Sequence, residues 1–139
     1  MAAGAVAGVV GLSGCQGQLL FRNDHRVTIE SPANFATVTL PVTIRWQARD
    51  FTPPSSGRFL VFVDRSPQPP GDSINDFPAS DRAGIYTVDG NEIRLSVFAR
   101  DPQAPPAEQD HHEVTVILVG PDGRRIGETA GFVEFDVRR

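Results

Sequence analysis

Lysine is absent from this 139-residue chain, and cysteine, methionine, tryptophan and tyrosine occur once each. A lone cysteine cannot close an internal disulfide, so the fold must rest on packing. All 13 basic residues are arginine, which reflects a GC-rich genome rather than an activity. Against them stand 17 acidic residues, for a net charge of −4. Binding nucleic-acid phosphates requires a basic face, and this balance argues against such a partner. No Gly-x-Ser-x-Gly elbow occurs, and no nucleophile stands in a recognisable frame with a histidine base. The pattern points to neither an enzyme nor a cofactor.

Charge is also missing from the first fourteen residues, where only Ser13 is polar between Ala2 and Gly14. As a helix this run would reach roughly 20 Å, short of the roughly 30 Å hydrocarbon core of a bilayer. It suits the apolar region of a secretory signal, which is removed from the mature protein. A buried N-terminal helix with a free core cysteine is the other reading. Four glycines in those fourteen residues weaken it, because each destabilises a helix interior.

The run ends Leu12-Ser13-Gly14-Cys15. This resembles the lipobox of bacterial lipoproteins: a leucine three places before the cysteine, two small residues, then the cysteine itself. The resemblance implies cleavage between Gly14 and Cys15, diacylation of the Cys15 sulfur by palmitate-type chains, and attachment to the extracytoplasmic face of the cell membrane. It also accounts for a single unpaired thiol in an exported chain. No Lys or Arg precedes the run, a departure from the lipoprotein pattern that a true start upstream of Met1 would remove. The expected organisation is a signal peptide over 1–14, a lipid-anchored tether over 15–25, and one domain over 26–139, a suitable length for a single core.

Beyond residue 25 the apolar residues recur with the two-residue period of half-buried strands, broken by Pro, Gly and Asp turns. Val27 and Ile29 open the series. Val42, Ile44, Trp46 and Ala48 share one face, with Thr43, Arg45, Gln47 and Arg49 on the other. Phe59, Val61 and Val63 alternate with Leu60 and Phe62, so this strand is apolar on both faces and belongs in the middle of a sheet. Asp89-Gly90-Asn91 predicts a hairpin joining 85–88 to 93–97. Val114, Val116 and Leu118 face inward, Pro121-Asp122-Gly123 turns the chain, and Val133, Phe135 and Val137 form the last strand. About seven short strands with turns between them predict an all-β, immunoglobulin-like antiparallel β-sandwich, with Trp46, Phe59, Val61, Val116 and Phe135 in its core.

Val42-Thr43-Ile44-Arg45-Trp46 resembles the second strand of fibronectin type III domains, which carries a core tryptophan. The stretch His112 to Leu118, followed by Gly123 and Gly127, resembles a later strand and loop of that family. The resemblance covers 26–139. His112 stands where the family has the tyrosine of its tyrosine corner, so the hydrogen bond of that corner must be made differently or lost.

Asp110-His111-His112-Glu113 is the one cluster that suggests a metal or an acid–base pair. Neighbours in a strand point to opposite faces, so His111 and His112 are weak metal candidates. A metal-binding protein or metal-dependent enzyme built on them and nearby carboxylates is one alternative function. The Asp-rich loop 66–81 offers oxygen ligands but lacks the glycine and closing glutamate of a twelve-residue calcium loop. A carbohydrate-binding module is a second alternative. It would need a platform of exposed aromatics, and Trp46 and Tyr86 are expected inside or in the hairpin.

What remains is surface. Successive loops of a sandwich alternate between its ends, which would group 31–41, 65–83 and 99–111 at one end and 50–57, 89–91 and 120–130 at the other. The first strand starts at this second end, so the anchor lies there and the first group faces away from the membrane. Loop 65–83 carries Asp72, Asn75, Asp76 and Asp81, and loop 99–111 carries Asp101, Glu108 and Asp110. Seven prolines, at 67, 69, 70, 78, 102, 105 and 106, stiffen them and lessen the entropy lost on binding. These residues are the candidate binding loops of a non-catalytic envelope module whose partner, a protein or another envelope component, the sequence does not name.

Overall fold

The computed structural model describes residues 26–139. The signal segment 1–14, the tether 15–25, and Gly14 and Cys15 with them, lie outside the described residues. Eight strands form two facing sheets. One has three strands in the order β1 (Val27–Ser31), β3 (Val42–Ala48), β6 (Glu92–Leu95). The other has five: β2 (Ala36–Thr39), β8 (Arg125–Arg138), β7 (His111–Val119), β4 (Arg58–Val63) and β5 (Ile85–Val88). This is the all-β, immunoglobulin-like sandwich that the alternation predicts, with an eighth strand. That extra strand, β2, continues the direction of β1 beyond the Pro32–Phe35 turn but crosses to the other sheet, where it pairs with β8 in parallel.

The sheets meet because each strand buries every second side chain. Along β3, Val42, Ile44 and Trp46 are buried while Arg45 and Gln47 face water. Opposite them Phe59, Val61, Val114, Val116, Val133 and Phe135 complete one continuous core. Trp46 is fully buried, with its ring edge on Phe59 at a centroid distance of 5.4 Å. All five side chains expected at the centre of the core are there. Where β1 crosses β8, Gly131 makes room: a Cβ at that position would stand 2.8 Å from Val27 Cγ1.

β4 lies between β7 and β5, and both its faces are buried, as its unbroken apolar run predicts. Phe59 and Val61 enter the inter-sheet core, whereas Leu60 and Phe62 point outward with Ile117 and Val119. The cover on that outer side is the segment 66–83, whose Ile74 and Phe77 pack on the exposed strip together with Ile85 and Ala130. This corrects the placement of loop 65–83 wholly at one end. The segment runs along the sheet as a strap: Ser73 bridges to Arg124, Ile74 N–H donates to Gly123 O at 2.9 Å, and Arg125 N–H donates to Asp72 O at 2.9 Å. Leaving Leu60 and Phe62 in water would cost on the order of 1.5–3 kcal/mol each, and Ile74 and Phe77 are the strap's large apolar residues.

The expected hairpin over 85–97 does not form. β5 pairs with β4 and β6 pairs with β3, so the chain changes sheets over Asp89–Asn91. The reason lies at Asn91. Its carbonyl accepts from Trp46 N–H at 3.0 Å and its Nδ2 donates to Trp46 O at 3.2 Å, which ties the turn to β3 rather than back to β5. The final strand also begins earlier than expected, at Arg125, so most of the anticipated loop 120–130 is β-structure.

Strand directions fix two ends. β1 starts at the end shared with the β3–β4, β5–β6 and β7–β8 connections, called proximal here, and the β4–β5 and β6–β7 connections leave from the distal end.

Two substitutions separate the inner and outer layers. Trp46→Ala should cost about 3–5 kcal/mol in chemical denaturation, the range for removing a buried aromatic. Ile74→Asp should cost about 2 kcal/mol by lifting the strap, and should raise binding of an apolar dye as Leu60 and Phe62 become accessible, whereas a mere spacer would tolerate it.

Candidate functional site

At the distal end β4 stops because Asp64 turns the chain with φ 56°, a left-handed conformation that Asp tolerates better than most residues. Three bonds hold it there. Asp64 N–H donates to Glu113 O at 2.8 Å, Asp64 Oδ1 accepts from Glu113 N–H at 2.8 Å, and Asp64 Oδ2 accepts from His112 Nδ1 at 2.7 Å. His112 is buried against the Phe98 ring, 4.8 Å between centroids. The His112 side chain therefore bonds sideways to a carboxylate. The His112 Nε2 is buried without a hydrogen-bond partner among the described residues.

His111 faces the other way, as strand alternation requires. Its Nδ1 donates to Asp136 Oδ1 at 2.9 Å and its Nε2 to Glu134 Oε1 at 2.8 Å. Two carboxylate acceptors require both ring nitrogens to carry protons. The bond to Asp136 raises the His111 pKa most, burial opposes it, and the bond to Glu134 and the charges of both carboxylates add to the rise. An imidazolium with both nitrogens donating has no lone pair for a metal. Among the described residues no group of three or more His, Cys, Asp or Glu side chains is placed to hold a metal ion.

Asp110 joins three chain segments. Arg100 Nε and Nη2 donate to its two oxygens at 3.0 and 2.9 Å, and Arg139 Nε donates to Oδ1 at 2.7 Å. Hydrogen bonds from Arg100 and then Arg139 hold its carboxyl far below the usual carboxylate range. Arg139 Nη2 also donates to Phe98 O at 2.7 Å, fixing the stretch that follows β6.

These bonds frame a groove of about 630 Å³ between the start of β5 and the segment 97–109. Val63, Gly84, Tyr86, Val97, Phe98 and Ala104 give it an apolar wall, and Asp64, Arg100, Asp101, Glu108, Gln109, His111 and His112 complete it. Tyr86 is 40% and Val97 80% exposed. Tyr86, expected inside or in a hairpin, thus opens onto a cavity.

The candidate residues divide accordingly. Asp101, Glu108, Asp110, His111 and His112 gather at or beside this groove. Asp81 is held near it through Arg65, which donates to the carbonyls of Asp81 and Ala83 at 2.7 and 2.9 Å. Asp72, Asn75 and Asp76 ride the strap to the proximal turn. There Asp76 Oδ2 accepts from Ser73 N–H at 3.2 Å, and Asn75 lines a second groove of about 350 Å³ with Pro121, Asp122 and Gly123. Asp64, Tyr86, Val97 and Phe98 were not singled out by the sequence. The only local sign was Phe98, an aromatic residue just beyond the run of β6.

Proton linkage at His111 has a defined sign. Its folded pKa lies above the ordinary value of 6.5, so the stability it contributes is complete below that value and is lost as pH rises through the folded pKa. The difference in melting temperature between the wild type and His111→Gln should therefore be largest near about pH 6 and shrink toward about pH 9. A difference that stayed constant with pH would show that the two carboxylates do not hold the proton.

No family model matches the sequence, and no curated protein matches it. Among solved structures, the fibronectin(III)-like modules of Clostridium thermocellum CbhA are similar, with a TM-score of 0.45 and 16% identity, over 81% of this chain and 95% of that one.

Proposed function

We propose that the protein is a lipid-anchored lipoprotein on the extracytoplasmic face of the cell membrane, and that its sandwich serves as a non-catalytic binding or structural module of the envelope. The observation that carries this reading is Leu12-Ser13-Gly14-Cys15 at the end of an uncharged run, eleven residues ahead of a folded domain that starts at Arg26. An extended tether of that length reaches at most roughly 35–40 Å. Because β1 starts at the proximal end, the tether joins the domain there, and the distal groove faces away from the bilayer.

The non-catalytic reading is supported by the groove itself. Beside His112 its lining offers no serine, threonine, cysteine or lysine as a nucleophile. The metal-dependent alternative, built on His111 or His112 with nearby carboxylates, is disfavoured at His111, where Asp136 and Glu134 bond both ring nitrogens.

Cys15→Ser should move the protein from the membrane fraction to the soluble fraction and leave its melting temperature unchanged. Mass spectrometry of the wild type should find a diacylated Cys15 at the mature N-terminus. Membrane retention of the Cys15→Ser protein, or an unmodified Cys15 thiol in the wild type, would overturn the anchor.

A further inference from the structure

The distal groove has a chemical character that narrows its occupant. Two of the four large apolar side chains exposed among the described residues, Tyr86 and Val97, line it. Its single guanidinium, on Arg100, is paired through Nε and Nη2 with Asp110, and the His111 charge is neutralised by Glu134 and Asp136. Asp101 and Glu108 at the rim are exposed, and among the described residues neither forms an ion pair. The site is therefore apolar on its floor and negative at its edge.

Unpaired backbone lies on both flanks. Among the described residues β5 pairs only with β4, and β6 only with β3, so each leaves one strand edge open on this side of the sandwich. Beyond β6 the residues Ser96–Ala99 join no strand, and among the described residues the one backbone carbonyl there with a partner is Phe98 O, bonded to Arg139. A row of open N–H and C=O groups is matched by the backbone of an extended chain.

We propose that this groove binds an extended peptide segment in which basic residues alternate with aliphatic ones, supplied by another envelope protein. The basic side chains meet Asp101 and Glu108, an aliphatic side chain packs on Tyr86 and Val97, and the backbone pairs with the open edges. This rests on reading the sandwich as a binding module, and it adds the chemistry of the partner.

The test uses a fluorescent Arg-Val-Arg-Val-Arg-Val peptide titrated into the full chain in detergent and followed by anisotropy. Three relatives of the probe and three variants go with it. The basic peptide should bind. Its Glu-for-Arg counterpart, a scrambled peptide of the same charge with its valines clustered, and a version N-methylated at alternate amides should each bind far more weakly. Asp101→Asn combined with Glu108→Gln should weaken binding about tenfold, and Val97→Arg should abolish it. Asp89→Asn combined with Asp122→Asn, the same charge change at the proximal end, should have no effect.

Equal weakening by the two charge pairs would reduce the interaction to the protein's net charge and overturn the proposal. So would unimpaired binding of the N-methylated peptide, or no binding at all. Concentration-dependent dimers that Val97→Arg dissociates would assign the groove to a second copy instead. Cys15→Ser should leave peptide affinity unchanged, so failure of the anchor and failure of the groove are read separately.

Discussion

Burial of β4 and β7 on both faces is the constraint on which the rest of the structure depends. A two-sheet sandwich ordinarily needs only its inner faces apolar, since the outer faces meet water. Here Leu60, Phe62, Ile117 and Val119 make the outer strip apolar as well, so the chain must supply a third layer. The 66–83 strap is that layer. Its stiff Pro67, Pro69, Pro70 and Pro78 lower the entropy lost on laying it down, and its anchoring to Gly123–Arg125 commits Asp72 and Asp76 to the proximal end. The same demand explains why β5 stands in the larger sheet: Ile85, at the strap's return, closes the apolar strip beside Phe62.

Polar contacts then organise the distal end around the start of β7. Asp110, His111 and His112 are consecutive, yet they bind in three directions: Asp110 to Arg100 and Arg139, His111 to Glu134 and Asp136, His112 to Asp64. Each contact ties a different segment to one strand. A cluster that looks like a ligand set in one dimension is a junction in three, because alternation sends neighbouring side chains to opposite faces. Most of these pairs are partly exposed and individually worth little. Together they fix the stretch 97–110, which has few buried apolar side chains of its own beyond Phe98.

The parts of the fold legible in the sequence are those governed by period. The faces of β3, the two-sided burial of β4 and the inward residues of β7 and β8 follow from alternation alone. What alternation does not encode is which strands pair. Asp89-Gly90-Asn91 signals a reversal equally well for a hairpin and for a crossing between sheets, and the bonds from Asn91 to Trp46 that decide it span 45 residues. The strap was hidden for a related reason. Ile74 and Phe77 are two apolar residues in a polar, proline-rich loop, and the need for them is visible only once Leu60 and Phe62 are seen to lack an inner partner. Asp101, Glu108 and the histidines were legible as a group because they are close in sequence. Asp64, Tyr86 and Val97 were not, because the groove gathers them from the end of β4, from β5 and from the stretch after β6.

The edges of the sandwich explain what kind of interaction its flank can support. The edge strands β1, β2, β5 and β6 have four or five residues each, while the interior β7 and β8 have nine and fourteen. Short edges limit the uncontrolled strand addition to which an open sheet is liable. They also limit how much affinity backbone pairing can give any partner, since a four-residue edge offers few free donors and acceptors. Recognition on this flank must therefore draw on side chains as well, and those lining the distal groove include the exposed Tyr86 and Val97 with Asp101 and Glu108 at the rim. An apolar contact enclosed by unpaired charge discriminates against a purely apolar partner, which would desolvate the carboxylates without compensation. Selectivity there comes from the charge, and attachment from the two apolar side chains together with pairing along the short backbone edges.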